Sequence, residues 1–77
     1  MKELLTYLLS GILGKDDFEI EEETSENGFI RLKILTDASN MGLIIGKNGR
    51  TINSIRNLLK TKATLKKIGF SLEVAER

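Results

Sequence analysis

Ile44-Ile45-Gly46-Lys47-Asn48-Gly49-Arg50 is the stretch on which the reading of this chain turns. Two glycines three positions apart frame Lys47 and Asn48, and the apolar residues Ile52, Ile55 and Leu59 follow at helical spacing. A Gly-x-x-Gly turn carries no bulky side chain at its ends. It therefore lets backbone N–H groups at the positive end of the next helix come close to an anion, with phosphate the obvious guest. A nucleotide-binding P-loop is excluded by spacing. That motif needs four residues between its glycines and a hydroxyl after the lysine, whereas three residues separate Gly42 from Gly46 and Asn48 follows Lys47.

Upstream of the turn, Leu4, Leu8 and Ile12, with Leu5, Leu9 and Leu13 beside them, recur every four residues as the stripe of a helix packed on one face. Gly11 and Gly14 are expected to end it. Phe18 and Ile20 alternate with acidic residues, and Ile30, Leu32 and Ile34 alternate with Arg31, Lys33 and Leu35, so two half-buried strands are expected. Asn27-Gly28 between them is a strong hairpin signal. Asp37 or Ser39 is placed to cap a short helix reaching about Ile44, and a longer helix is expected from Arg50 to about Lys62. Ile68, Phe70, Leu72 and Val74 then alternate as a last strand. The predicted order is helix, strand, strand, helix, turn, helix, strand. One sheet with a single apolar face needs helices on that face only, an α+β arrangement.

At 77 residues the chain is read as one small domain. It has no cysteine and no histidine, which excludes disulfides, thiolate zinc sites and histidine-based nucleophile pairs, so an enzyme is not expected. Its apolar runs are too short to span a bilayer, and a soluble intracellular protein is expected. The net charge of +1 hides a dipole along the sequence. Residues 1 to 28 hold two basic against eight acidic residues, a balance of −6, and residues 29 to 77 hold ten against three, a balance of +7. Lys47, Arg50, Arg56, Lys60, Lys62, Lys66 and Lys67 follow one another with no acid among them. Such a run marks a polyanion site where its members share a face, and otherwise a solvated helix. The acids Glu19, Glu21, Glu22 and Glu23 are read as a solvated edge strand, because alternation puts Glu22 on the opposite face from Glu21 and Glu23.

The string IIGKNGRTINSI, preceded by two strands and followed by one, resembles the signature of the KH domain, a single-stranded RNA-binding module whose GxxG loop clamps the sugar-phosphate backbone. The order α-β-β-α-α-β resembles its type II, or prokaryotic, form, with a three-stranded sheet and helices on one face. With the opening MKELLTYLL and the segment SNMGLIIGKNGRTINSIRNLLK, the whole chain resembles the small stand-alone bacterial KH proteins of the KhpA type. The resemblance implies a cytoplasmic, non-catalytic RNA-binding protein without cofactor, metal or small-molecule substrate. It further implies self-association or pairing with a KH protein of the KhpB (Jag) type, in RNA regulation linked to cell elongation and division. Carried over residue by residue, Gly46, Lys47, Asn48 and Gly49 form the clamp, and Arg50 adds a phosphate contact. Of Ile44 and Ile45, one enters the core and the other lines the nucleotide groove. Leu43 stands where the family often has a basic residue.

Each of these residues has a plainer reading: core packing for Ile44 and Ile45, solubility for Lys47 and Asn48. Arg50 is more telling, because a cation in the first turn of a helix opposes the dipole unless an anion lies nearby. Phe18, Phe29 and Phe70 are assigned to strands and Tyr7 to the first helix. So few aromatics disfavour a sheet that stacks bases and favour an aliphatic groove. Two other readings stay open. Two helices around a tight turn can mimic a helix-turn-helix that reads duplex DNA through Asn53, Arg56 and Asn57. The fold can also serve as a protein-interaction scaffold with vestigial RNA binding.

Overall fold

A computed structural model describes residues 2–77. Its elements are α1 (Lys2–Leu13), β1 (Glu19–Thr24), β2 (Ile30–Thr36), α2 (Ala38–Ile45), a 3₁₀ turn (Lys47–Gly49), α3 (Arg50–Lys66) and β3 (Phe70–Glu76). The sheet runs β1-β2-β3, with β1 antiparallel to β2 and β2 parallel to β3. A parallel pair needs a long crossover. The α2–turn–α3 unit is that crossover, so the sheet itself fixes where the glycine turn sits.

Pleating divides the strands cleanly. Ile20, Ile34 and Val74 are register partners across the sheet, as are Leu32 with Leu72 and Ile30 with Phe70. These side chains join Leu5, Leu9, Ile44, Ile55 and Leu59 in one core. On the open face Glu21 stands opposite Lys33, Glu23 opposite Arg31, and Glu73 opposite Lys33 from the other side. Opposite charges facing each other across strands support the sheet. Glu22 is a partner of Leu32 on the other face, as alternation required.

Of the two apolar stripes of α1, Leu5 and Leu9 carry the burial, while Leu4, Leu8 and Leu13 pack partly and Ile12 is exposed. Gly11 lies within the helix and does not end it. Gly14 does: at φ +70° its N–H donates to the Ser10 carbonyl at 2.9 Å. The hairpin turn spans Ser25 to Gly28, with Gly28 at φ +85° donating to the Ser25 carbonyl at 3.0 Å. Phe18 and Phe29 flank their strands, and only Phe70 lies within one.

Two helix boundaries differ from expectation. Neither Asp37 nor Ser39 caps α2 by its side chain. Asp37 occupies the cap position and its carbonyl receives Asn40 and Met41, but its carboxylate accepts from Arg77 at 3.4 Å instead. Arg77 also meets Asp17 and Glu19, and its N–H donates to the Thr36 carbonyl at 3.1 Å. Beneath that clasp, Thr36 Oγ1 donates to the Asp17 carbonyl at 2.7 Å, and Asn40 Nδ2 donates to Thr36 Oγ1 at 3.1 Å. Both side chains are buried and satisfied, which locks the start of β1 to the start of α2. The second difference is that α3 continues four residues past Lys62. Ile68 N–H bonds the Ala63 carbonyl and Lys67 N–H the Thr64 carbonyl, the paired closure of a helix end usually built on glycine. Here Lys67 takes the left-handed conformation, φ +57°.

Candidate nucleic-acid interface

The interface starts from Ile44, fully buried at the end of α2, and Ile45, which is 37% exposed beside it. One isoleucine therefore enters the core and the other remains on the surface. Gly46 follows at φ 77°, ψ 174°, and its N–H closes α2 on the Gly42 carbonyl at 2.9 Å. A Cβ at this position would stand 2.7 Å from Thr51 Cβ and 2.9 Å from Thr51 N. Glycine is required twice over, by dihedral and by space. Gly49 differs: its φ of +74° calls for glycine, but a Cβ there would find nothing nearer than 3.9 Å. Asn48 is also left-handed, at φ 56°, ψ 27°, a conformation asparagine tolerates better than most residues. Its place in the turn thus has a conformational reason as well as a polar one.

Gly49 N–H donates to the Gly46 carbonyl at 3.2 Å, and Arg50 N–H to that of Lys47. Lys47 and Asn48 are exposed, and their N–H groups have no backbone partner among the described residues. Behind them runs α3, whose 17 residues give an axis of about 25 Å. Its N-terminus has no side-chain cap and no acid in its first turn, only the exposed Arg50. The positive end of a long helix, two cations and open backbone donors therefore converge on one turn. That combination disfavours an empty surface and favours an anion.

Among the described residues, only Lys15 and Arg77 form ion pairs. Arg31 and Lys33 at least have acids opposite them in register, whereas Lys47, Arg50, Arg56, Lys60, Lys62, Lys66 and Lys67 have neither an ion pair nor a cross-strand acid. The structure does not bring all seven together. Lys47 and Arg50 stand at the turn. Arg56 and Lys60 line a groove between α3 and the free edge of β3, whose floor is Ile68, Phe70 and Leu72. Lys62 is half-buried on the helix, and Lys66 and Lys67 sit at its far end. This groove was hidden from the sequence because it joins α3 to the edge of β3. Asn53, named from the sequence only as a reader of duplex DNA, is joined to Arg56 here: its Oδ1 accepts a hydrogen bond from Arg56 Nη1 at 3.0 Å.

Comparison with known proteins agrees with this geometry. The model of the KhpA/KhpB KH domain matches residues 2–74. The chain belongs to the KhpA/KhpB family of KH domains. That family is non-catalytic, and the α-β-β-α-α-β order with a three-stranded sheet is the fold expected of it. The chain is 34% identical to the RNA-binding protein KhpA of Chlamydia trachomatis over 76 residues, covering 99% of this chain and 97% of the relative. It is 39% identical to the RNA-binding protein KhpA of Thermotoga maritima over 59 residues, 77% of this chain and 79% of the relative. No solved structure matches. No helix among the described residues is long and apolar enough to cross a membrane.

Proposed function

We propose that this protein binds single-stranded RNA, gripping a short stretch of its backbone at Gly46, Lys47, Asn48 and Gly49. Arg50 adds a phosphate contact, and Ile45 borders the groove that receives the bases. The observation that carries the reading is the turn itself, glycine-framed at the uncapped N-terminus of α3, with Lys47 and Arg50 in no ion pair among the described residues. Names of relatives support RNA as the polyanion. The decisive variant is Lys47→Asp with Asn48→Asp. Aspartate tolerates the left-handed position at 48, so melting should change little while anisotropy shows RNA affinity lost. Tighter binding to duplex DNA than to any single strand would instead favour the helix-turn-helix reading.

The proposal extends to assembly. Leu43 and Leu58 are 57% and 51% exposed, large apolar groups that a second copy or a KhpB-type partner would cover. One module reads about four nucleotides, and doubling it raises affinity through effective concentration. The physiological setting inferred from the family resemblance is cytoplasmic RNA regulation tied to cell elongation and division. Sedimentation at micromolar concentration, repeated with Leu43→Lys and Leu58→Lys, tests self-association. A monomer at every concentration, with no partner recovered from cells, removes the assembly claim.

A further inference from the structure

We propose that the turn carries a modification site of its own: Asn48 deamidates through Gly49, and the product disables the clamp. The inference rests on the RNA-clamp reading above and adds a one-way switch to it. Asparagine followed by glycine is the step at which this reaction meets least hindrance, because glycine has no side chain to shield its backbone nitrogen. The chain holds two such steps, Asn27-Gly28 and Asn48-Gly49, and both asparagines are exposed. One serves as the internal control for the other.

The chemistry needs only water. Solvent base takes the proton of Gly49 N–H, and the nitrogen attacks Asn48 Cγ, forming a C–N bond as the carbonyl pair moves onto oxygen. Collapse of that oxyanion expels Nδ2, which takes a proton from solvent and leaves as ammonia, closing a cyclic imide. Water then opens the imide. Entry at Cγ gives aspartate, and entry at the backbone carbonyl gives isoaspartate, whose chain runs on through Cγ. Either product sets a carboxylate between Lys47 and Arg50, where the clamp needs positive charge.

One lock is common to both steps. Gly28 N–H donates to the Ser25 carbonyl at 3.0 Å and Gly49 N–H to the Gly46 carbonyl at 3.2 Å, so each must open a turn hydrogen bond before it reacts. The remaining differences favour Asn48. Asn27 Oδ1 accepts from Ser25 Oγ and from Phe29 N–H at 3.3 Å, which fixes its amide. The Asn48 side chain has no hydrogen-bond partner among the described residues. Asn48 stands at φ 56° while Asn27 does not have positive φ, so only Asn48 leaves a left-handed conformation as it rotates toward attack. Lys47, Arg50 and the positive end of α3 stabilise both the deprotonated amide and the oxyanion. Asn27 instead follows Glu26 and shares its hollow with Glu23 as well as Arg31. A surface built to hold phosphate thus also favours an anionic transition state.

The test incubates the full chain without RNA at mildly alkaline pH and follows each asparagine by fragmentation mass spectrometry. Conversion at Asn48 should run at least about fivefold faster than at Asn27, the factor supplied by one hydrogen bond. The product, separated by cation-exchange chromatography, should stay folded by circular dichroism. In anisotropy it should bind a single-stranded oligouridine at least about tenfold more weakly, the loss of one charge-assisted contact. Conversion at Asn27 as fast as at Asn48, or faster, overturns the proposal. So does a product that has unfolded, or one that binds as the untreated chain does while Lys47→Asp with Asn48→Asp abolishes binding. If that double variant also binds as the wild type does, the clamp reading fails and takes the switch with it, whereas the relative rates, measured without RNA, still decide the modification site.

Discussion

Exchanging each glycine of the turn for alanine separates two causes that the sequence presents as one. Gly49→Ala imposes a left-handed conformation on a residue with a Cβ but meets no neighbour within 3.9 Å. The cost is about 1–2 kcal/mol. Gly46→Ala carries a heavier load. Its dihedrals, φ 77° and ψ 174°, lie in a region open essentially to glycine, about 1–3 kcal/mol for another residue. The new methyl would also press on Thr51, whose Cβ and backbone N stand at 2.7 and 2.9 Å. Overpacking of this kind adds about 1–3 kcal/mol. The expected total is the sum of the two, about 2–6 kcal/mol, in a domain whose whole stability is on the order of 4–12 kcal/mol.

Thermal unfolding followed by circular dichroism reads the difference directly. Each kcal/mol moves the midpoint of a domain this size by about 4–8 °C, so with central costs of about 4 and about 1.5 kcal/mol Gly46→Ala should melt about 10–20 °C below Gly49→Ala. Thr51→Ala in the Gly46→Ala background should recover only part of the loss, because Thr51 Cβ and N remain in place. Equal melting of the two glycine variants, or complete rescue by Thr51→Ala, would refute the argument that backbone crowding makes Gly46 obligatory.

Thr36→Val keeps the shape of a fully buried side chain but removes the hydroxyl that serves both the Asp17 carbonyl and Asn40 Nδ2. Urea unfolding should show a loss of about 1–3 kcal/mol. The Arg77 clasp predicts a pH dependence. The hydrogen bond from Arg77 holds the Asp17 carboxyl below its usual 3.8, against the opposing pull of desolvation. A depressed folded pKa stabilises above the unfolded value and is lost as pH falls through the folded one. The melting gap between wild type and Arg77→Gln should therefore be present near neutrality and close as pH drops below 3.8.

Where the sequence was readable, a local rule was sufficient. Alternation in residues 30–34 and 70–74 assigns a core face to each strand without knowledge of its partners, and the glycines of the turn declare positive φ at Gly46 and Gly49. It was unreadable where a distant group changed the local answer. Asp37 is a good cap by type, yet Arg77, forty residues on, takes its carboxylate. The end of α3 carries no glycine, so nothing in the sequence announces Lys67 as the left-handed residue. Thr51, the neighbour that makes Gly46 irreplaceable, reads as an ordinary helix residue until the turn is folded over it.

The charge pattern shows how folding alters a property visible in the sequence. Along the chain the protein is acidic and then basic, and a net charge of +1 describes neither half. In the fold, Arg77 returns to Asp17, Glu19 and Asp37, while Arg31 and Lys33 lie across from Glu23, Glu21 and Glu73. Three of the basic residues are thereby matched by acids on the sheet and at its end. Those from Lys47 to Lys67 keep no such partner among the described residues, and the four nearest the clamp, Lys47, Arg50, Arg56 and Lys60, lie along the turn and the adjoining groove. The acidic segment need not touch a ligand to matter. By lying opposite the bases of β2 and pairing with Arg77 it leaves uncompensated positive charge concentrated on the turn and α3, the side on which the glycine turn opens.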